Sequence, residues 1–328
     1  MRRRDLIAAL GCATVAWPLA ARAQQPAMPL IGFLSPLTAA TSARNIAALR
    51  HGLRELGYVE GRNIAIEYRF AGGVSERLPV LAAELVALKP AVIAVGSTTG
   101  IMSASKVTRT VPLIMVGVTE DPILLGLAET FARPGRNVTG FSLTVGQEIL
   151  GKRLQLLRDA VTGISRVGFV GNPDSPGDVA ELKMAPSVAA RFGLQHRVLE
   201  VRTIDELKAA FMAARRDGVQ ALHICWNPLF NVHRAQVVAM LADLRLPAIY
   251  GFRDFVQAGG LMSYGPDLPD LYRRSAAYID KVIKGEKAGE LPLQIAERYQ
   301  LVINLKTAQE LGLSISEAFL LLADEVIE

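Results

Sequence analysis

The stretch Ala91-Val92-Ile93-Ala94-Val95-Gly96-Ser97-Thr98-Thr99-Gly100 carries the pattern on which the fold depends. Its first five residues are all apolar, which predicts a strand that is buried on both faces. The hydroxyl side chains that follow are typical of a helix N-terminus. A buried strand that leads directly into a helix is the repeating unit of a parallel sheet, because parallel strands need a crossover and the helix covers the sheet.

The alternation of short apolar runs with longer helical patterns continues along the chain and restarts after Asn137. It predicts an α/β fold of two similar, doubly wound lobes that face each other across a cleft. The predicted strands are residues 30–34, 63–69, 91–95, 113–116, 166–170, 194–201, 221–225, 248–250 and 261–264. The predicted helices include residues 42–56, 75–88, 147–160, 185–192, 204–216, 232–244 and 268–283, and a last element begins at Ser314, with Glu317 completing a capping-box pattern.

The N-terminus has the three parts of an export signal. Three arginines at positions 2–4 precede an uncharged stretch over residues 6–21, and Ala21-Arg22-Ala23 is a cleavage site with small residues. We therefore expect residues 1–23 to be a signal peptide, cleaved after Ala23, and the mature chain to act in the periplasm. The arginines with residues 5–7 also resemble a twin-arginine signal. An uncleaved anchor and a lipoprotein acylated at Cys12 are disfavoured, the first by the cleavage site and the second by a poor lipobox.

Charge and cysteine content narrow the possible partners. The net charge is +5, and residues 1–23 carry four Arg and one Asp, so the mature chain has 5 − 4 + 1 = +2. This charge gives no reason to expect nucleic-acid binding. Cys225 would be the one remaining cysteine, so the fold cannot rest on an internal disulfide. No stretch after Ala23 is apolar over the roughly 18 residues that a membrane span needs.

Polar and aromatic residues follow the predicted strands. In open parallel sheets, ligands bind outside the carboxyl ends of the strands, so these residues form the candidate site. They are Ser35 after the first strand, Ser97, Thr98 and Thr99 after the third, Asp121 after the fourth, Asn172, Trp226 and Asn227 in the second half, and Tyr250 and Tyr264 at later strand ends.

Each of these residues has two interpretations. The hydroxyls at 97–99 suit a carboxylate or another anion at a helix N-terminus, or they form a simple N-cap. Asp121 precedes a proline, and it either pairs with a cationic group or caps the next turn. Trp226 either stacks on an apolar ligand or packs between the lobes, and Tyr250 and Tyr264 have the same alternatives.

Sequence motifs for chemistry are missing. There is no G-x-G-x-x-G after a strand, no P-loop, no G-x-S-x-G and no H-E-x-x-H. We therefore expect no cofactor, no metal site and no catalysis. An exported hydrolase that uses His223 or His233 is the weakest alternative, and a periplasmic ligand sensor for a signalling partner is the stronger one.

Several longer stretches resemble one protein family. The chain is similar to the ABC-transporter substrate-binding proteins of the type I periplasmic-binding fold, in the group that includes tryptophan- and tyrosine-binding members. The stretches that carry the resemblance are residues 57–63 (GYVEGRN), 121–122, 126–127, 133–140 (RPGRNVTG), 172–173, 304–308 with 311–313, and 323–328 (ADEVIE).

The resemblance implies two Rossmann-like lobes with a ligand cleft between them and three crossings, near residues 139–142, 262–264 and 291–295. Lobe one would comprise residues 28–140 and 265–290, and lobe two residues 141–264 and 291–328. It also implies hinge closure on a small molecule, an amino acid or another carboxylate with an apolar part, and delivery to an ABC permease in the inner membrane. The implied ligand contacts are Ser35, Ser97, Thr98, Thr99, Asp121, Asn172, Asn227 and Tyr250.

One position departs from the family pattern. Many relatives have Asp where this chain has Trp226, and that Asp is a natural partner for an ammonium group. Either the ligand is not an amino acid, or Asp121 takes over this role.

Overall fold

The computed structural model describes residues 28–143 and 146–328. The expected signal peptide, residues 1–23, lies outside the described residues. The strands are β1 (Leu30–Ser35), β2 (Ala65–Phe70), β3 (Val92–Val95), β4 (Leu113–Val118), β5 (Val138–Ser142), β6 (Arg166–Gly171), β7 (Gln195–Glu200), β8 (Ala221–Ile224), β9 (Ala248–Tyr250), β10 (Met262–Pro266), β11 (Gln294–Ile295), β12 (Tyr299–Asn304) and β13 (Glu325–Ile327).

Helices connect nearly all of these strands. They are α1 (Ala39–Glu55), α2 (Leu78–Ala87), α3 (Thr98–Val107), α4 (Gln147–Ala160), α5 (Pro176–Arg191), α6 (Ile204–Arg216), α7 (Pro228–Val232), α8 (Arg234–Asp243), α9 (Arg253–Gln257), α10 (Leu268–Ile283), α11 (Leu305–Glu310) and α12 (Glu317–Leu320), with short 3-10 turns at Ser75–Arg77 and Ala288–Glu290.

Two separate sheets form the centres of two lobes. The first has six parallel strands in the order β11-β5-β4-β3-β1-β2, and the second has seven in the order β13-β12-β10-β9-β8-β6-β7. Among the described strands, β10 and β12 form the antiparallel pair of the second sheet. The predicted fold class, two doubly wound α/β lobes of the type I periplasmic-binding kind, is confirmed.

Strand β3 shows why the sheets are covered on both faces. In β3, Val92 and Ala94 pack into one hydrophobic cluster of the first lobe, and Ile93 and Val95 pack into the cluster on the opposite face. The period of two along a strand sends successive side chains to opposite faces, so an uninterrupted apolar run needs two apolar layers. The second lobe has the same two-sided core.

Two predicted helical details differ from the structure. The predicted helix 232–244 corresponds to α8, and a separate short helix, α7, precedes it and meets it at His233. The predicted cap at Ser314 is wrong, because Ser316 is the N-cap of α12 and its hydroxyl accepts a hydrogen bond from the Phe319 N–H at 3.2 Å.

Three segments connect the lobes. The first leaves β5 at Leu143 and reaches α4 at Gly146, the second is Asp267 between β10 and α10, and the third is residues 296–298 between β11 and β12. The crossings expected at 139–142, 262–264 and 291–295 lie a few residues earlier along the chain. The last residues of β5, β10 and β11 still pair with the sheet in which each strand began, and this pairing sets the position of the crossings.

In the described part of the chain, no helix combines the length and the apolar character that a membrane crossing requires.

Candidate functional site

A cleft separates the carboxyl ends of the two sheets, and the lobes touch across it. A methyl group on Gly73 of the first lobe would lie 3.4 Å from Val232 of the second, and one on Gly177 of the second would lie 2.9 Å from Glu120 of the first. Two cavities lie in this cleft, and the segment from Trp226 to Leu229 contributes to both.

The inner cavity is small and enclosed by both lobes. Its free volume is about 10 Å³, which is room for about one water molecule. The first lobe contributes Leu37, Asn45, Gly96, Val116, Gly117, Leu268 and Tyr272, and the second lobe contributes Trp226, Asn231, Phe252 and Asp254.

Polar groups that line the inner cavity lack partners. Within the described chain, Trp226 Nε1 and Asn231 Oδ1 are buried atoms without a hydrogen-bond partner. Buried polar atoms are nearly always hydrogen-bonded, since leaving one unpaired costs about 1–3 kcal/mol. Such atoms around one cavity between two lobes indicate a site built for a group that comes from outside the chain.

The outer cavity is larger and more polar. Its free volume is about 330 Å³, which falls in the range of small-molecule sites. The first lobe contributes Gly73, Val74, Ser75, Glu76 and Thr99, and the second lobe contributes Asn172, Asp174, Ser175, Arg202, Thr203, Ile204, Asn227, Pro228 and Leu229.

Asp178, in the first turn of α5, organises the second-lobe side of this cavity. The residue is 1% exposed, and its carboxylate accepts hydrogen bonds from the Asn172 N–H at 2.7 Å, the Ser175 hydroxyl at 2.9 Å and the Asn227 side-chain amide at 3.1 Å. Asn172 follows β6 and Asn227 follows β8, so one carboxylate fixes two binding loops. Asp178 was not predicted from the sequence, because it lies within a helix; its N-cap spacing from Ser175 is the signal that points to it.

Asp178 gives the protein a pH dependence with a definite sign. Burial raises the pKa of its carboxyl from 3.8 to about 7, although hydrogen bonds from Asn172 and Ser175 act in the opposite direction. Between these pH values the folded chain holds a proton that the unfolded chain has lost, so the free energy of unfolding falls as the pH rises. We expect Asp178→Asn to reduce this fall, by on the order of 2 kcal/mol between pH 5 and pH 8. Urea denaturation of both proteins measures it.

The control for this prediction is Asp205→Asn, which removes an exposed carboxylate from the first turn of α6. Its unfolding free energy is expected to follow the wild-type pH dependence. If Asp178→Asn also kept the wild-type slope, burial of Asp178 could not be the cause.

The structure brings four of the predicted site residues to the cavities. Thr99, Asn172 and Asn227 line the outer cavity, and Trp226 lines the inner one. Trp226 also packs against the first-lobe core, and its ring centroid lies 5.4 Å from that of Phe252. This is the inter-lobe packing that was one of the two interpretations of Trp226. Thr98 lies beside Thr99 but lines neither cavity; its hydroxyl donates to the Glu120 carboxylate and accepts from the Thr119 N–H.

Three other predicted residues shape loops. The Ser35 hydroxyl is 3.0 Å from that of Ser42 and accepts from the Leu37 N–H. The Ser97 hydroxyl caps α3 by accepting from the Gly100 N–H at 2.9 Å. Asp121 accepts from the Ile123 N–H at 2.7 Å, which is the turn-capping interpretation, and it lines neither cavity.

The two predicted tyrosines lie away from both cavities. Tyr250 is 1% exposed and stacks on Phe255 at 4.6 Å in the core of the second lobe. Tyr264 stacks on Tyr299 at 5.6 Å, and the Tyr299 hydroxyl donates to the Leu143 carbonyl in the first crossing. Tyr264 therefore belongs to the hinge region.

A buried network below the cleft was not predicted. The Arg153 guanidinium donates to Glu181 Oε1 at 2.9 Å and to the Tyr264 carbonyl at 2.9 Å, and His223 Nε2 lies 2.9 Å from the same Glu181 oxygen. Burial by itself would raise the pKa of Glu181, but His223 and Arg153 outweigh the burial and lower it to about 2. The network links α4, α5, β8 and the hinge strand β10.

Glu181, His223 and Cys225 in this network offer ligand atoms within 4.8 Å of one another, which is close enough to hold a metal ion. Arg153 already supplies a positive charge to the carboxylate, and a metal ion would have to displace it. Burial also raises the pKa of the Cys225 thiol well above its ordinary value, whereas a metal binds the thiolate. The arrangement is better described as a buried ion-pair network.

The two lobes, the three crossings and the cavities between them define a two-lobed solute-binding protein of the type I periplasmic-binding fold. The chain belongs to the ABC transporter substrate binding protein family, whose family model matches residues 32–327. This is a family of solute-binding proteins and not of enzymes, and its members are extracellular or periplasmic.

Individual relatives agree with this assignment. The chain is 24% identical over 264 residues to a protein named tyrosine-binding protein from Clostridioides difficile (strain R20291), covering 80% of this chain and 74% of the relative. It is similar to the structure of an ABC domain in complex with L-Trp from Streptococcus pneumonia, with a TM-score of 0.83, 24% identity and coverage of 91% and 99% of the two chains. A conserved domain protein from Vibrio cholerae gives a TM-score of 0.84 at 22% identity, with the same coverage.

Proposed function

We propose that this protein is a periplasmic solute-binding protein that closes around a small molecule and delivers it to an ABC importer in the inner membrane. The observation that carries the proposal is the inner cavity, where Trp226 Nε1 and Asn231 Oδ1 are buried without partners. A ligand that supplies these partners binds the closed arrangement of the lobes better than the open one. It therefore shifts the population toward closure.

The cavities support a ligand with a polar end and an apolar part. Thr99, Asn172 and Asn227 place hydroxyl and amide groups in the outer cavity, and Trp226 and Phe252 place aromatic rings at the inner one. Because relatives are named for tyrosine or hold L-Trp, aromatic amino acids are the first candidates to test.

Export through the N-terminal signal, with cleavage after Ala23, would place the protein in the same compartment as the periplasmic face of a permease. The three arginines, the uncharged stretch and the Ala21-Arg22-Ala23 site support this step.

Tryptophan fluorescence tests the closure directly. The chain has two tryptophans, Trp17 and Trp226, so a chain without residues 1–23 reports on the cleft through Trp226 alone. Across a panel of amino acids, organic acids and sugars, we expect at least one solute to change the Trp226 emission and to lower the radius of gyration in small-angle scattering. If no solute had either effect, the proposal that the lobes close around a small molecule would fail.

Gly177→Ala provides the matched variant for this experiment. The added methyl group would lie 2.9 Å from both Glu120 Oε1 and Thr119 Oγ1 on the opposite lobe, so it obstructs closure and not folding. We expect about tenfold weaker binding, with the free energy of unfolding within about 1 kcal/mol of wild type. Glu120→Ala in the same chain removes one of the two obstructing side chains and is expected to restore part of the affinity.

A further inference from the structure

Asp254 is a partly buried acidic residue in the wall of the inner cavity. Of the described residues that line the inner cavity, Asp254 alone is charged. No described residue forms an ion pair or a side-chain hydrogen bond with it. Its neighbour Arg253 is turned away, with its guanidinium 2.7 Å from Glu325. The carboxylate is therefore left without a compensating charge from the protein.

The surrounding groups favour a hydrogen-bond donor beside Asp254. Asn231 Oδ1, which lines the same cavity, is a buried acceptor without a partner. An ammonium group has three N–H donors and no acceptor, so it can satisfy both Asp254 and Asn231. The cavity has room for about one water-sized group, which is also the size of an ammonium head. The rings of Trp226, Phe252 and Tyr272 form part of the wall, and aromatic faces attract cations.

The residues that line the two cavities carry a net negative charge, as Asp254 does. The outer cavity is lined by Glu76, Asp174 and Arg202, and Arg202 lies 3.5 Å from Asp174. With Asp254 the two cavities carry three acidic groups and one basic group, a formal charge of −3 + 1 = −2, whereas the full chain has a charge of +5. A ligand with only negative charge would be repelled from this cleft.

From these observations we infer that Asp254 selects ligands whose head group carries a positive charge, and that amines and amino acids bind where amine-free carboxylates do not. This inference rests on the proposed solute-binding function. It assigns the ammonium partner to a residue of α9, in place of Asp121, whose carboxylate is used to cap a turn.

Matched pairs of ligands test the inference. The probes are L-tryptophan with indole-3-propionate, L-tyrosine with 3-(4-hydroxyphenyl)propionate, and L-leucine with 4-methylpentanoate, together with tryptamine and tyramine. Binding is measured by calorimetry for every probe, and by Trp226 fluorescence for the ligands that lack an aromatic ring, because indole and phenol rings fluoresce themselves. A wider panel of amine-bearing and amine-free metabolites is measured in the same way. We expect amine-bearing members to bind and their amine-free partners to bind at least tenfold more weakly. Asp254→Asn, which keeps the shape of the side chain, should weaken amine binding by roughly 10- to 100-fold.

The control is Asp243→Asn, an exposed carboxylate at the end of α8 outside both cavities, which should leave amine binding unchanged. If amine-free ligands bound as well as the matching amine-bearing ligands, and Asp254→Asn had no effect, the role of Asp254 would be refuted. The proposed solute-binding function would not be affected by that result. If no compound of either class changed the fluorescence or the radius of gyration, the solute-binding function would be refuted as well. Thermal unfolding of Asp254→Asn shows whether a loss of binding reflects a loss of fold.

Discussion

Replacing Arg153 with methionine is expected to lower the free energy of unfolding by roughly 3–5 kcal/mol. Arg153 is 1% exposed, and its guanidinium bonds to Glu181 and to the Tyr264 carbonyl. Methionine has a similar length but no charge, so it leaves the buried Glu181 carboxylate beside His223 but without the guanidinium. Removing one partner from a buried ion-pair network is strongly destabilising, and whole domains are stable by only about 5–15 kcal/mol.

The partner variant for this prediction is Glu181→Gln. Chemical denaturation of Arg153→Met, Glu181→Gln and the double variant gives a double-mutant cycle. If the unpaired carboxylate causes the loss, the double variant should be more stable than Arg153→Met, because glutamine carries no charge that needs compensation. A double variant that lost the sum of the two single losses would show that Arg153 contributes by packing and not through the ion pair.

The second large effect is expected for Gly140→Ala, in the strand that enters the first crossing. Gly140 has φ +118°, which an L-residue rarely adopts, and it pairs with Met115 of β4. A methyl group there would overlap the Met115 carbonyl oxygen and lie 2.7 Å from its nitrogen. These are backbone atoms in the middle of a sheet, so they cannot move aside. Backbone strain and overpacking each cost about 1–3 kcal/mol, and we expect a total loss of about 3 kcal/mol or more.

Gly146→Ala is the control, since Gly146 lies at the other end of the same crossing. Its φ is −91° and no atom lies within 4 Å of the position of an added methyl group. The substitution weakens only the N-cap of α4, which costs about 1 kcal/mol or less. Urea denaturation compares the two variants. Equal losses would mean that the crossing tolerates neither substitution, and that the contact with Met115 is not the cause.

The order and type of the main elements could be predicted from the sequence. Uninterrupted apolar runs such as 91–95 can be buried only between two apolar layers, and this physical constraint holds wherever the run lies in space. The short strands β11 and β13 were harder to predict from the sequence. β11 has two residues and β13 has three, and such segments form because a neighbouring strand offers free backbone groups, and not because of their own pattern.

The candidate site could be predicted in part. Thr99, Asn172, Trp226 and Asn227 line the cavities because the carboxyl ends of parallel strands meet at one edge of each sheet. The same rule gave Tyr250, which faces the core of its own lobe. Adjacent strand residues point to opposite faces. The sequence therefore indicates where a strand ends, but not whether its last side chain points into the cleft or into the core.

The sequence by itself determined the two α/β lobes, the family and the strand ends that surround the cleft, since these follow from local apolar patterns and motifs. Only the tertiary structure decided which polar groups converge. Asn231 lies in a helix of five residues, Asp254 in another and Asp178 in a first helical turn, and no periodic pattern relates them. They meet because the two lobes approach each other, and residues that are brought together by long-range packing have no regular separation in the sequence.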